Sequence, residues 1–406
     1  VTYFTDTSFE TLRSYVAGMT AAAKIKLYQN YDEKTDLVTG SLAFKQAGSE
    51  LDLNGKTLET KVALGNGIIT TEKALYVYST APGAQLLADE PSKVNGGTGG
   101  GFILSMYTAN GNLVVGHASD TNVSVMPLTI RGTALIKVGG AATVVLENIS
   151  YANTVYDNHG AVQYNASDAS VTVTNCDFTL IMPMFAVRTA KTSNWSAIVK
   201  GSRIYTTQRS ITILHSDLNN GETTENGVTM EKTVLCSSEG ADLKCNTRFP
   251  VKLGEGVVMN RPGSLTATTG NALAHTNETS VSVNGTSYTA LYEVVAESDA
   301  FTATFETGST TVKETWKKDS KPAYRANVFG SDENSTYYWY VAATEGIAAD
   351  TEYTAKLKTT ESKITGNLTL YANITFNLYF KNDGFIKGVR YKGQETRFSE
   401  TTLLNG

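Results

Sequence analysis

The sequence predicts a mostly β protein: a parallel β-solenoid with an N-terminal capping helix, followed by a smaller β-rich C-terminal region. Three observations predict it. The 406 residues carry 57 Thr, 28 Asn and 35 Gly but only 7 Pro, a composition of strands and turns rather than long helices. Short alternating strands end in a polar turn bearing Asn or Gly. The turn residues Asn148, Asn175 and Gly201 recur about every 25 residues with no helix between them, as stacked rungs do.

The first element is the helix. Thr7-Ser8-Phe9-Glu10 fits a capping box, and Phe9, Leu12, Val16 and Met19 then mark one face, giving a helix over about 8–19. Such a helix suits the open end of a solenoid, where core and unpaired backbone would otherwise meet water. A strand follows, with Ile25 and Leu27 pointing one way and Lys24 and Lys26 the other. The rung pattern then runs through Leu51-Asp-Leu-Asn54-Gly55, Leu128-Thr-Ile-Arg-Gly132, Val144–Asn148, Val171–Asn175 and Ala197–Gly201. Asn suits the corner because it tolerates left-handed backbone and its amide can reach the next rung. A β-sandwich also alternates and turns, but near-equal spacing favours the solenoid.

The opening recurs at a constant offset: Thr7–Ala17 aligns with Thr286–Ala296. This predicts a second short helix at about 287–297 and a boundary near 275–284. The expected organisation is thus a first module over 1–275, a β-rich connecting module over 276–350 and an antiparallel module over 351–406. In the last, Ile374, Phe376, Leu378 and Phe380 alternate before the turn Lys381–Gly384, with Phe385–Tyr391 as the returning hairpin arm.

These segments carry a resemblance. Ser8–Tyr28 followed by Leu51-Asp-Leu-Asn-Gly-Lys-Thr-Leu58, with Leu146–Ile149 and Val173–Phe178 as later rungs, resembles the entry of right-handed parallel β-helix proteins of the pectin-lyase-like class. Leu368–Tyr379 is similar to a β-domain of large secreted surface proteins of anaerobic Gram-positive bacteria. The first resemblance covers roughly 8–205. It implies a right-handed coil and an extracellular or cell-surface setting, but no activity, because many such solenoids are adhesins or structural proteins.

Charge narrows the function further. With 34 Lys+Arg against 39 Asp+Glu, the net charge of −5 leaves no basic field for a nucleic-acid backbone. No apolar run approaches a membrane span, and the cysteines and histidines show no zinc spacing, so neither membrane insertion nor a metal or other cofactor is expected. Enzymes of the resembling class need converging carboxylates. The nearest candidates are Asp157, His159, Asp177 and Arg203, and Asp157-Asn-His-Gly160 is equally an ordinary turn. The run Asn95–Gly101 lacks the Lys-Ser/Thr of a phosphate loop. Tyr337, Tyr338, Trp339 and Tyr340 could stack on sugar rings or simply pack in a strand. Cys236 and Cys245 bracket a loop short enough for a disulfide, a free pair being equally allowed.

The expected function is a non-catalytic extracellular structural or adhesive surface protein. It would self-associate as a homo-oligomer or polymer, in a filament or surface-layer assembly, through β-rich ends at Val1–Phe4 and Ile374–Phe380. The alternative is a polysaccharide lyase or hydrolase, or a glycan-binding β-helix.

Overall fold

The computed structural model describes the chain except residues 33, 37, 39, 65–68, 89–101, 107–109, 133, 139–141, 154–159, 165–168, 188–194, 208–209, 217–226, 239–241, 246–250, 284, 290, 307–310, 323–334, 342–362, 377–387, 392–393 and 398–406. The polypeptide forms two compact units, one of residues 1–300 with 315–320, the other of 301–314 with 321–406.

The first unit is built largely from parallel sheets in which, between Thr57–Glu59 and Val258–Met259, the parallel partners of each strand are the third strand before or after it. One turn illustrates the path. Thr143–Glu147 lies in the first sheet, Ile149–Asn153 in the second and Val162–Tyr164 in the third. The chain then returns to the first sheet at Ser170–Thr174, directly beside Thr143–Glu147. The step from Val144 to Val171 to Ala197 is the recurrence read in the sequence, now seen as register partners. This arrangement is compatible with a β-solenoid.

Alternation explains the core. In Thr143–Glu147 and Ser170–Thr174 the residues Val144, Leu146, Val171 and Val173 are buried, while their neighbours face outward. Successive turns place like side chains on like, as with the Tyr151 and Phe178 rings, whose centroids stand 5.7 Å apart edge to face.

The corners obey the sequence reading. Asn148, Asn175 and Gly201 all adopt left-handed backbone, with φ of 53°, 51° and 58°. The polypeptide turns from one sheet to the next in one residue there, which Gly and Asn accommodate most cheaply; the following corner is held by Lys232, also left-handed at a φ of 48°. Each corner N–H donates to the next turn, from Asn148 to the Thr174 carbonyl and from Asn175 to the Lys200 carbonyl. Side-chain amides act similarly: Asn54 Nδ2 donates to the Leu27 carbonyl at 2.9 Å. The Leu128–Gly132 segment differs, because it runs in the second sheet beside Ile149–Asn153 and so is not equivalent to Val144–Asn148.

The helix spans Phe9–Gly18 and buries Phe9, Leu12 and Val16 in the same core. Its N-cap is Ser8, whose hydroxyl accepts from the Thr11 N–H at 3.2 Å. The capping box is not formed: the Thr7 hydroxyl bonds Tyr31, and Glu10 pairs with Arg13.

Two expectations about residues 275–300 are corrected. Among the described residues of 287–297 there is no α-helix; Thr286–Tyr288 and Leu291–Ala296 are strands, followed by one 3₁₀ turn at Glu297–Asp299. Val294 and Val295 favour extended backbone, and Leu291–Ala296 gains antiparallel partners in Asn271–Thr276 and Val258–Met259. That pairing ties 271–296 to the second sheet, so the compact unit continues past the expected boundary near 275–284.

In the second unit, Leu368–Phe376 lies between two partners. It runs parallel to Ala303–Glu306 and antiparallel to Ser335–Val341. Of the expected hairpin of 373–380 with 385–391, residues 377–387 lie outside the described residues; the described part of its first arm, up to Phe376, pairs with the upstream tyrosine-rich strand. Gly388–Tyr391 pairs with Gln394–Arg397.

Candidate functional site

Of the sequence-derived catalytic candidates, Asp157 and His159 lie outside the described residues. Asp177 and Arg203 are register partners on adjacent strands of the second sheet. Their charged groups stand 3.7 Å apart, and each side chain is 59% exposed. Such an exposed pair contributes at most about 1 kcal/mol, and nothing there withdraws a carboxylate from water. Among the described residues, no three metal-capable side chains gather. The run 95–101 lies outside the described residues. Tyr337–Tyr340 lie in Ser335–Val341, but their side chains are outside the described set.

The cysteine expectation resolves one way. Cys236 is a free, fully buried thiol, so it forms no disulfide with Cys245. The two residues sit on strands of different sheets, Val234–Ser237 and Asp242–Cys245. Burial pushes the Cys236 thiol up to about 12 and the Cys176 thiol to about 11.

Sequence reasoning missed a buried carboxylate pair. Glu50 and Asp52 lie on the outer side of the strand Glu50–Asp52, yet both are almost inaccessible. Lys24 Nζ is 2.9 Å from Glu50 and Lys26 Nζ is 3.2 Å from Asp52. The Tyr78 hydroxyl donates to Glu50 at 2.7 Å, and Ser119 adds a further hydroxyl bond to it. Thr80 donates to Asp52 through both its N–H and its hydroxyl. Burial works to raise the Glu50 carboxyl, but the bonds from Ser119, Lys24 and Tyr78 outweigh it and hold it below the usual range. Burial first, then the hydrogen bond to Glu50 and the charges of Glu50 and Asp52, raise the Tyr78 phenol. Glu50 is therefore an ionised, saturated acceptor rather than a proton donor. The signal was available: Lys24-x-Lys26 and Glu50-x-Asp52 are one rung apart and opposite in sign.

The self-association candidates divide. Phe4 is buried in the core, whereas Val1 is 70% exposed. Ile374 and Phe376 already have antiparallel partners in Tyr337 and Ser335, so that edge of their strand is occupied. Leu378 and Phe380 lie outside the described residues.

The remaining edge is Thr2–Phe4, the outermost strand of the first sheet, paired on one side with Lys24–Leu27. The Phe4 carbonyl accepts from the Tyr28 N–H at 2.9 Å. Alternation therefore turns the Tyr3 N–H and carbonyl away from the sheet. No strand among the described residues meets them. Tyr3 is 59% exposed and packs edge to face on the half-exposed Tyr28 at 5.6 Å. Tyr15 of the helix completes the patch, its ring 5.2 Å from Phe4 and its hydroxyl 2.9 Å from that of Thr2. Among the described residues, four of the five exposed large apolar side chains, Val1, Tyr3, Tyr15 and Tyr28, lie at or beside this edge.

Comparison with known proteins finds no matching family model, no matching curated protein and no matching solved structure.

Proposed function

We propose that this chain is a non-catalytic structural or adhesive protein of the cell surface or extracellular space, and that it self-associates through a β-edge. It is a right-handed parallel β-helix whose N-terminal helix caps the first turn, with a smaller β-rich region following. The observation that carries the reading is the outer edge of the strand Thr2–Phe4, which no described strand meets, with exposed aromatic side chains beside it. Exposed edges are normally blunted by Lys, Pro or bulges, and this strand has none. The ion pairs lend support, since Lys24–Glu50, Lys26–Asp52, Arg203–Asp177 and Lys200–Glu231 all cross-link adjacent turns. Charge here stitches the stack together. Low charge and abundant Thr and Asn fit an inert, uncharged surface outside the cell.

Light scattering over a range of concentrations, with electron micrographs of the same sample, tests the reading. Concentration-dependent growth of the particle is expected. A monodisperse monomer at high concentration, with no ordered assembly on grids, removes it.

A further inference from the structure

We infer that the partner at this edge is a second copy of the chain, joined through an antiparallel pair of Thr2–Phe4 strands about a twofold axis at Tyr3. The inference rests on the self-association reading above and names its surface, geometry and closure.

The chemistry at the edge selects an extended strand. The Tyr3 N–H and carbonyl both face outward, and a twofold axis between two Tyr3 residues lets each donate to the other's carbonyl. In that arrangement faces are conserved. Phe4 of one copy lies opposite Thr2 of the other on the core side, while the two Tyr3 rings stand together on the outer side, each already backed by Tyr28.

The charge pattern selects a copy of the same surface. Two identical surfaces repel wherever either carries net charge. Residues Val1–Thr5 bear no charged side chain. The solvent face of the helix offers Thr11, Ser14, Tyr15 and Gly18, and its charged neighbours Glu10 and Arg13 neutralise each other bidentately at 2.8 Å. A three-residue strand is far smaller than the roughly 1,200 Å² of a stable interface, so this small, neutral helix face joins the contact.

Other edges favour closure over open polymerisation. At the first turn, Thr57–Glu59 is bridged by Tyr31, and the helix lies against Ser41–Phe44. At the far end of the second sheet, Leu291–Ala296 reverses direction and ends the parallel run. A head-to-tail stack of parallel turns is thus blocked in that sheet, and in the first sheet the far edge at Leu253 is bridged by Ala267, which leaves an isologous dimer.

Cysteine trapping tests the geometry. In the proposed pair the two Tyr3 α-carbons lie about 5.5 Å apart, within disulfide range. Tyr3→Cys should yield a covalent dimer under mild oxidation. Tyr28→Cys, one strand further in, should not. Tyr3→Pro removes both the outward N–H and the ring, whereas Tyr3→Lys removes the ring and adds a charge; each should shift sedimentation from dimer to monomer without altering the unfolding midpoint at low concentration. If the wild-type chain is monomeric and Tyr3→Cys does not cross-link, both this proposal and the self-association reading fail. If the wild-type chain associates but Tyr3→Pro and Tyr3→Lys still do, or Tyr28→Cys alone cross-links, this edge is wrong and self-association stands.

Discussion

Asn175 and Gly201 sit one above the other at successive corners, and a β-carbon on Gly201 would stand 2.7 Å from Asn175 Oδ1. Gly201 is therefore fixed twice, by its left-handed backbone and by the amide beneath it. Replacing it with Ala adds the left-handed penalty of about 1–2 kcal/mol to that close approach. Gly201→Ala should lower stability by about 2 kcal/mol or more in urea unfolding. Gly116→Ala should be worse, since its β-carbon would fall on the Glu147 carbonyl itself.

Asn54 combines a φ of 48° with an amide bond to the Leu27 carbonyl. Asn54→Ala should cost about 2 kcal/mol, the sum of backbone strain and one hydrogen bond. Asn54→Gly removes the strain and retains only the lost bond, so it should cost less. Equal losses for the two variants would contradict the corner account.

The Glu50 cluster predicts a pH dependence. Its carboxyl is held lower in the folded chain than in the unfolded one, where it titrates near about 4.3. The stabilisation is thus complete above that value and lost as pH falls through the lowered folded value. Glu50→Gln should cost about 1–2 kcal/mol at pH 7, because Lys24 and Tyr78 lose an ionised acceptor. The gap between variant and wild type in urea midpoint should close on acidification below about pH 4. By contrast, Asp177→Ala should change stability by less than about 1 kcal/mol at any pH.

The thiols give a simple chemical check. Burial raises Cys176 to about 11 and Cys236 to about 12, leaving almost no thiolate at pH 8. Peptide mapping after iodoacetamide should find both unmodified in the native protein and both alkylated in denaturant. Alkylation of Cys236 in the folded state would mean that the second sheet opens near Val234–Ser237.

The rung period was legible because these one-residue corners take left-handed backbone, which Asn and Gly adopt most cheaply, although Lys232 holds the next corner at a φ of 48°. Asn148, Asn175 and Gly201 therefore marked true corners. Thr286–Ala296 misled because local resemblance to Thr7–Ala17 carries no information about partners. Its Val294 and Val295 are extended by Asn271–Thr276, a contact that local sequence cannot announce. Leu368–Phe376 likewise takes an antiparallel partner from upstream, Ser335–Val341, which its own alternation does not announce. For Glu50 and Asp52 the opposite signs of Lys24 and Lys26 one turn away were visible, but their burial and the approach of Ser119 from later still were not. The edge at Thr2–Phe4 was half legible. Its uncharged sequence was visible, but Phe4 as core and Tyr3 as the outward residue required the register with Lys24–Leu27.

The central claim, association through the Thr2–Phe4 edge, is tested most directly by sedimentation velocity of wild-type and Tyr3→Pro chains across a hundredfold concentration range. The account predicts a wild-type species that moves from monomer to dimer with concentration while Tyr3→Pro remains monomeric throughout. Superimposable profiles for the two chains would contradict it.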